Sequence, residues 1–428
     1  MKVLLSLVLL APASFAQGHV LVVDAAGGGT YTQIAAALQN AAPGDVLLVK
    51  AGSYSGFAVA NQDVSIVGDV SANVQINGTV QVRNLAATKS VLLHRLRAFG
   101  ATSPSANDGP GITLKNGFGP VRLQECFAQG AAGMPGVRVE GSSNVALWMT
   151  QGFGGSQWPN SGEGVLANGN AIAVYECDLE GAPGGAPTGQ SPPACYGGNG
   201  GFALRCIPNG FVFVGGSYLQ GGQATAAADN CTGGAYYGDW CNGGNGGTCV
   251  GLSTGLQMFW YMDNVFQAGM WGAGGTGHCG CGLVYTCDGD AGQPGLAYSM
   301  SSGDTVVAIP GPNPSLSLSA NPAREGTTLG LSVESAPGDA VLLVITSAVT
   351  FAPEQNRGVR LVNWSGPHTT RRLGTTDALG HLQTSWPIAD LGSGIESQIV
   401  HVQLLVVHSN GQSVWSNAIS LVLLDSAF

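Results

Sequence analysis

Charge is scarce in this chain. Of its 428 residues only 9% are Asp, Glu, Lys or Arg, 15 basic against 25 acidic, and the formal net charge is −10. No lysine follows Lys115 and no run of basic residues occurs anywhere. A nucleic-acid partner is therefore not expected, because phosphate binding needs clustered Lys or Arg. An anionic membrane surface is disfavoured for the same reason. Long apolar runs are scarce too: beyond the N-terminus no uninterrupted stretch approaches the roughly 20 residues of a membrane-spanning helix, so no transmembrane segment is expected. Helical patterning is nearly absent. What is abundant is glycine, 68 residues, in a chain that is 44% hydrophobic. Alternating Val, Leu and Ile at that level argue against disorder, and the glycines read as punctuation between many short strands.

The N-terminus, "MKVLLSLVLLAPASFAQG", has a positive start, a short apolar core and small residues near Ala16. This is the pattern of a secretory signal peptide over residues 1–16, and it predicts a secreted, extracellular or cell-surface protein. Ten cysteines in such a chain favour disulfides over zinc. The eight from residue 195 onward, Cys195, Cys206, Cys231, Cys241, Cys249, Cys279, Cys281 and Cys287, are the disulfide candidates. His278 lies among three of them, but no paired CxxC knuckle is present and no metal site is expected. Ca²⁺ is the one cation considered: "GGNGGTCV" carries Thr248 where a ligand Asp is required, and "DGD" at 288–290 would supply carboxylate oxygens without a complete loop. No cofactor is predicted.

One helix is legible, in "GGGTYTQIAAALQNAAPGD", with Thr30 or Thr32 as its cap. From about residue 61 the chain repeats. "LRAFG" from Leu96, "CFAQG" from Cys126, "TQGFG" from Thr150, "CDLEG" from Cys177, "SYLQG" from Ser217 and "NVFQA" from Asn264 align, giving units of 30, 24, 27, 40 and 47 residues. Upstream, "GITL", "GVRV", "GVLA" and "GFAL" open successive units at Gly111, Gly136, Gly164 and Gly201. Units of two or three strands without a crossover helix predict stacked parallel coils around one continuous core. The growing unit length belongs to Gly- and Cys-rich insertions at one corner. A Pro-rich linker near residue 310 leads into alternating strands that predict a compact antiparallel β-sandwich. The expected fold is all-β: a right-handed parallel β-helix over 17–309 with an N-terminal capping helix, then a small sandwich over 310–428.

The helix-bearing opening followed by irregular "GV-x-V" coils resembles secreted right-handed parallel β-helix proteins of the pectin-lyase-like superfamily. In those proteins a helix plugs the apolar end of the stack. The resemblance covers residues 19 to 310 and implies fold more than function. The Asn-Thr-Asp, Asp-Asp and Arg-Ile-Lys motifs of polygalacturonases, the "WIDH" of pectate lyases and the "GTVDFIFG" of pectin methylesterases are all missing, and "GHCG" at 277–280 only grazes a Gly-His-Gly. The terminal module resembles the sandwich modules of many secreted bacterial proteins.

Two Glu-Cys pairs, Glu125-Cys126 and Glu176-Cys177, fall in one repeat column. Two rungs at ~4.8 Å each separate them by roughly 10 Å, beyond disulfide reach, so Cys126 and Cys177 are expected as buried thiols in an inward ladder with Thr150, Ser217 and Asn264. Glu176 and Asp178 then both point outward, roughly 6.5–7 Å apart and near the carboxylate spacing of inverting glycosidases. With Glu125 and Arg95 they form the candidate catalytic face. Tyr236, Tyr237, Asp239, Trp240 and Trp271 in the insertions are the candidates for stacking on sugar rings. The function these features favour is non-catalytic: a secreted protein that binds extracellular polysaccharide or a cell-surface component. The alternative is a polysaccharide lyase or glycoside hydrolase acting on the acidic face.

Overall fold

The computed structural model describes residues 17–101, 109–157, 161–168, 171–186, 197–207, 210–227, 232–233, 242–253, 258–273, 276–279, 285–288 and 291–428. Residues 1–16, expected from the sequence to be a signal peptide, lie outside them. The chain is all-β, winding into parallel coils whose strands form three walls, with antiparallel sheets at the C-terminal end. The back wall is a ten-stranded parallel sheet running from Val20–Val23 to Thr305–Ala308. The front wall begins at Leu96–Phe99 and ends at Val265–Gln267; the side wall begins at Ile112–Lys115 and ends at Tyr298–Ser299. These last two walls diverge from one long strand, Val74–Arg83, which pairs with Leu96–Phe99 through its first half and with Ile112–Lys115 through its second.

The repeat columns are reproduced by the strand register. Arg97 pairs with Phe127, Phe127 with Gln151, Gln151 with Asp178, Asp178 with Tyr218 and Tyr218 with Val265, which returns every unit length read from the sequence. The upstream column holds for Gly111, Gly136 and Gly164, but the fourth unit is shifted. Leu204 pairs with Val165, so Ala203 rather than Gly201 occupies the slot after Gly164. The helix is short, Ile34–Leu38, and its N-cap is Gln33 without a side-chain bond, not Thr30 or Thr32. Ile34, Ala37 and Leu38 are buried in the coil core, so the helix closes the first end of the stack as expected.

The back wall is buried on both faces. Asp45–Val49, Val64–Gly68, Val91–His94 and Val121–Gln124 are buried at every residue, the pattern of a sheet covered on both sides. Leu47, Ile66 and Leu93 face the coil interior. Their alternates Leu48, Val67 and Leu92 pack with Val422 and Leu424 of the C-terminal sandwich, and further along Trp148, Tyr175 and Phe213 pack with Val359, Leu361 and Ala418. Polar bonds stitch the same seam: Tyr175 Oη donates to Val359 O at 3.1 Å, and Arg122 Nη2 to Thr350 O at 3.1 Å. His94, buried at the end of Val91–His94, places its Nε2 2.9 Å from Asn321 O. The sandwich is therefore a splint along the back wall. The strand Gln17–Gly18 even pairs antiparallel with Ser397–Val407.

Where the front and side walls separate, the described parts of the insertions build a core without side chains. Segment 220–227 donates from Gly221, Ala224 and Ala227 to Gln267 O, Met270 O and Ala273 O of the next coil, and from Gly222 and Thr225 to Gly201 O and Gly198 O of the opposite layer. The opposite layer answers with the same period: Gly197 and Gly200 donate to Asn242 O and Asn245 O, Gly244 and Gly247 to Thr225 O and Gly222 O. A three-residue repeat is that of a polyproline II chain, which has no internal hydrogen bonds; here the groups are satisfied laterally, two directions per turn. Glycine is required because the layers touch backbone to backbone. A Cβ at Gly222 or Gly247 would meet the carbonyl oxygen of Ala182 or Gly201 at under 3.0 Å. The triplets in "GGNGGT" and "GGQATAA" are the sequence signal of this bundle.

Candidate binding face

The Glu-Cys pairs sit at the corner between back and front walls. Arg95, Glu125, Met149, Glu176 and Asp263 take φ of 55°, 51°, 45°, 52° and 50°, with Gly216 at 59° in the same column. A left-handed residue costs a side chain roughly 1–2 kcal/mol, but it breaks the strand alternation so that the residues on both sides face inward. The following column does so. Cys126 Sγ donates to Leu93 O at 3.3 Å, Thr150 Oγ1 to Leu123 O at 3.3 Å, and Ser217 Oγ accepts from Cys177 N at 3.1 Å. Asn264 continues the ladder, accepting from Ser217 N at 2.8 Å and donating to Val214 O. Burial pushes the Cys126 and Cys177 thiols up to about 12, so neither is a nucleophile at neutral pH.

The corner divides the four proposed catalytic groups. Arg95 and Glu125 form an ion pair with Nε–Oε2 of 2.7 Å. Glu176 turns toward the sandwich: its Oε2 accepts from Trp148 Nε1 at 3.0 Å, and its enclosed Oε1 has no hydrogen-bond partner. Burial, with the negative charge of Glu334 adding to it, raises its carboxyl to about 7. Asp178 lies beyond the corner on the front wall, in register with Gln151 and Tyr218. Burial raises its carboxyl, and burial and then the charge of Asp178 raise that of Glu180. The carboxylate neighbour of Asp178 is thus Glu180, and that of Glu176 is Glu334.

Two cysteines differ from expectation. Cys206 and Cys249 are buried thiols in the coil core, not disulfide partners. Cys206 alternates inward in a column with Ala167 and Leu252, and Cys249 immediately precedes the strand Val250–Leu252. Both belong to strands flanking the insertions rather than to the insertions. Cys195, Cys231, Cys241 and Cys281, and the sugar-stacking candidates Tyr236, Tyr237, Asp239 and Trp240, lie outside the described residues. The backbones of Cys279 and Cys287 belong to antiparallel strands in which Cys279 faces Tyr285 and Cys287 faces Gly277; their side chains, with those of His278 and Asp288, lie outside the described residues. Trp271 is 51% exposed in the glycine bundle of the last coil. Among the described residues no group of three His, Cys, Asp or Glu is placed to hold a metal ion, and no helix is long and apolar enough to cross a membrane.

With the back wall covered, the front wall presents aromatic rings toward solvent. Phe99, Phe127 and Phe153 sit on three successive coils with ring centroids 5.3 Å apart at each step. The guanidinium of Arg97 lies 4.7 Å from the Phe127 centroid. The ridge continues through Asp178 and Glu180 to Tyr218, whose hydroxyl donates to Gln220 Oε1 at 3.0 Å and contacts Gln267 Oε1. The three phenylalanines were missed in the sequence, although the repeat columns place them together once the outward positions are read off.

No protein-family model and no curated protein matches the chain. Among solved structures it is similar to the chitinase ChiW from Paenibacillus sp. str. FPU-7, a bacterial cell-surface-expressed multi-modular enzyme, at 10% identity and a TM-score of 0.16; the match covers 87% of this chain and 24% of that one.

Proposed function

We propose that this is a secreted, non-catalytic protein that binds an extended extracellular polysaccharide along its front wall. One observation carries the reading. A single solvent-facing ridge runs parallel to the stack axis, with half-buried Phe rings first and amides, carboxyls and a tyrosine hydroxyl after them. Half-buried rings on a rigid sheet lose little freedom on stacking against a sugar face, and side chains with both donors and acceptors meet its hydroxyls. The parallel coil architecture and the resemblance of the helix-bearing opening to pectin-lyase-like proteins are consistent with such a role. Retention on columns of acidic and neutral polysaccharides tests it. Retention on at least one glycan, weakened about tenfold by Phe127→Ala with Tyr218→Ala (a loss of ~1.4 kcal/mol), is expected; no retention on any of them refutes it.

A second reading, a polysaccharide lyase or glycoside hydrolase, is favoured by the raised carboxyls of Asp178 and Glu180 on one strand, since a raised carboxyl is what a general acid needs. New reducing ends or unsaturated products, abolished by Asp178→Asn, would establish that reading in place of the first.

A further inference from the structure

The two ends of the coil stack are finished differently. At the first, the helix Ile34–Leu38 covers the interior. At the last, Val265–Gln267, Tyr298–Ser299 and Thr305–Ala308 are each hydrogen-bonded along one edge only. The interior of that end is filled by rings instead of the Val, Leu and Ile of earlier coils. Phe259 stacks on Tyr261 at 5.5 Å, Phe266 meets Tyr261 edge-on at 5.8 Å, and Tyr298 stands 6.4 Å from Tyr261. The rings fill the opening without being covered, and Tyr298, on an inward column, is 36% exposed. Around them Val265, Leu296 and Met300 are 59%, 56% and 51% exposed. Among the described residues, seven of the protein's eleven exposed large hydrophobic side chains fall between residues 258 and 300.

We propose that this end is the contact surface of a homodimer in which two coil stacks meet end to end about a two-fold axis. Free strand edges are normally protected by lysine or by a covering element. Among the described residues neither is present: no Lys or Arg occurs between Arg205 and Arg324, and no described strand pairs beyond these edges. A second copy fits because a two-fold axis across the stack reverses strand direction, so one edge strand can lie antiparallel to its own mate and the other two antiparallel to each other's mates, with apolar plate on apolar plate, the self-complementarity of an isologous contact. With aromatic side chains at roughly 150–250 Å² each and Val, Leu and Met smaller, the exposed fractions amount to on the order of 500–700 Å² per copy. That approaches the ~800 Å² per partner of a stable interface.

The test is light scattering with small-angle X-ray scattering on the mature full-length chain. A dimer about twice as long as the monomer is expected, and it should become monomeric in Val265→Lys with Leu296→Lys. The circular dichroism spectrum of that monomer should equal that of Leu379→Lys, a control at an exposed sandwich position that keeps the dimer, and its melting temperature should lie below the control's, since dimerisation stabilises the folded state. Should the double variant misfold, Met300→Lys alone, with the same monomer expected, replaces it. A wild-type protein that stays monomeric up to about 100 µM, above the micromolar limit for interfaces of this area, overturns the proposal. So does a dimer that the folded lysine variant leaves intact, or one whose scattering profile is side by side.

Discussion

Replacing Gly222 by alanine tests the glycine-packed bundle directly. The added methyl would meet Ala182 O at under 3.0 Å, and Ala182 C and Gly181 O lie almost as close. Carbon contacts relax at about 3.5–4.0 Å, so the two layers must part by roughly 1.5–2 Å at this point. Three bonds cross there, Gly222 N to Gly201 O, Gly201 N to Ala182 O and Gly247 N to Gly222 O, each 2.8 Å long. Losing or stretching them at about 0.5–1.5 kcal/mol apiece, with the usual cost of overpacking, gives a destabilisation of about 3–5 kcal/mol. The neighbouring Gln223→Ala, on an exposed position, should stay within about 0.5 kcal/mol of the wild type. Hydrogen–deuterium exchange resolves the effect locally. Amides of 181–184, 197–201, 220–227 and 242–248 should lose protection in Gly222→Ala, while those of the back wall keep theirs. If Gly222→Ala and Gln223→Ala exchange alike, the layers are not in backbone contact and the description of the bundle is wrong.

Two further outcomes follow from burial. With the carboxyl of Glu176 raised to about 7, the folded state holds a proton that the unfolded chain releases near its ordinary value of about 4.3. Stability from this group therefore declines as pH rises from about 4.3 to 7, and Glu176→Gln, which keeps an acceptor for Trp148 Nε1, should stabilise the protein at pH 8 by about 1–2 kcal/mol and leave it unchanged near pH 4. A chemical-denaturation series at the two pH values checks this; equal effects at both would refute it. The thiols of Cys126, Cys177, Cys206 and Cys249 are buried, with the first three pushed up to about 12. All four should resist alkylation in the native protein and react once it is unfolded, and a mass map joining Cys126 to Cys177 or Cys206 to Cys249 would contradict the coil register.

The coil register was legible because the corner is chemically demanding. From the second coil on, the left-handed residue is followed by a small polar or thiol side chain that bonds the enclosed backbone, and Cys126, Thr150, Cys177, Ser217 and Asn264 recur at the coil intervals. The two-sided cover of the back wall was also written in the chain. "DVLLV", "VALW", "AIAVY" and "FVFV" do not alternate, whereas the front and side strands do, and an unbroken apolar strand needs cover on both faces. Treating the sandwich as an appendage hid that signal. The glycine bundle escaped because a three-residue period is neither helix nor strand, and its glycines look like turn punctuation. The separation of Glu176 from Asp178 escaped for a different reason: the left-handed corner between back and front walls rotates one carboxyl away from the other, and strand alternation alone cannot show a rotation.

The pairing of Gln17–Gly18 with Ser397–Val407 also fixes how the molecule would carry a pull. Val20 N donates to Glu396 Oε2, Ser397 Oγ to Gly18 O, and Arg324 Nη2 reaches both Asp69 Oδ1 and Phe428 O. Tension applied between residue 17 and residue 428 therefore runs through the sandwich and the first coils as shear across paired strands. The remaining coils, with the front wall and the glycine bundle, stand outside this load path, so their surfaces stay undeformed when those two residues are pulled apart.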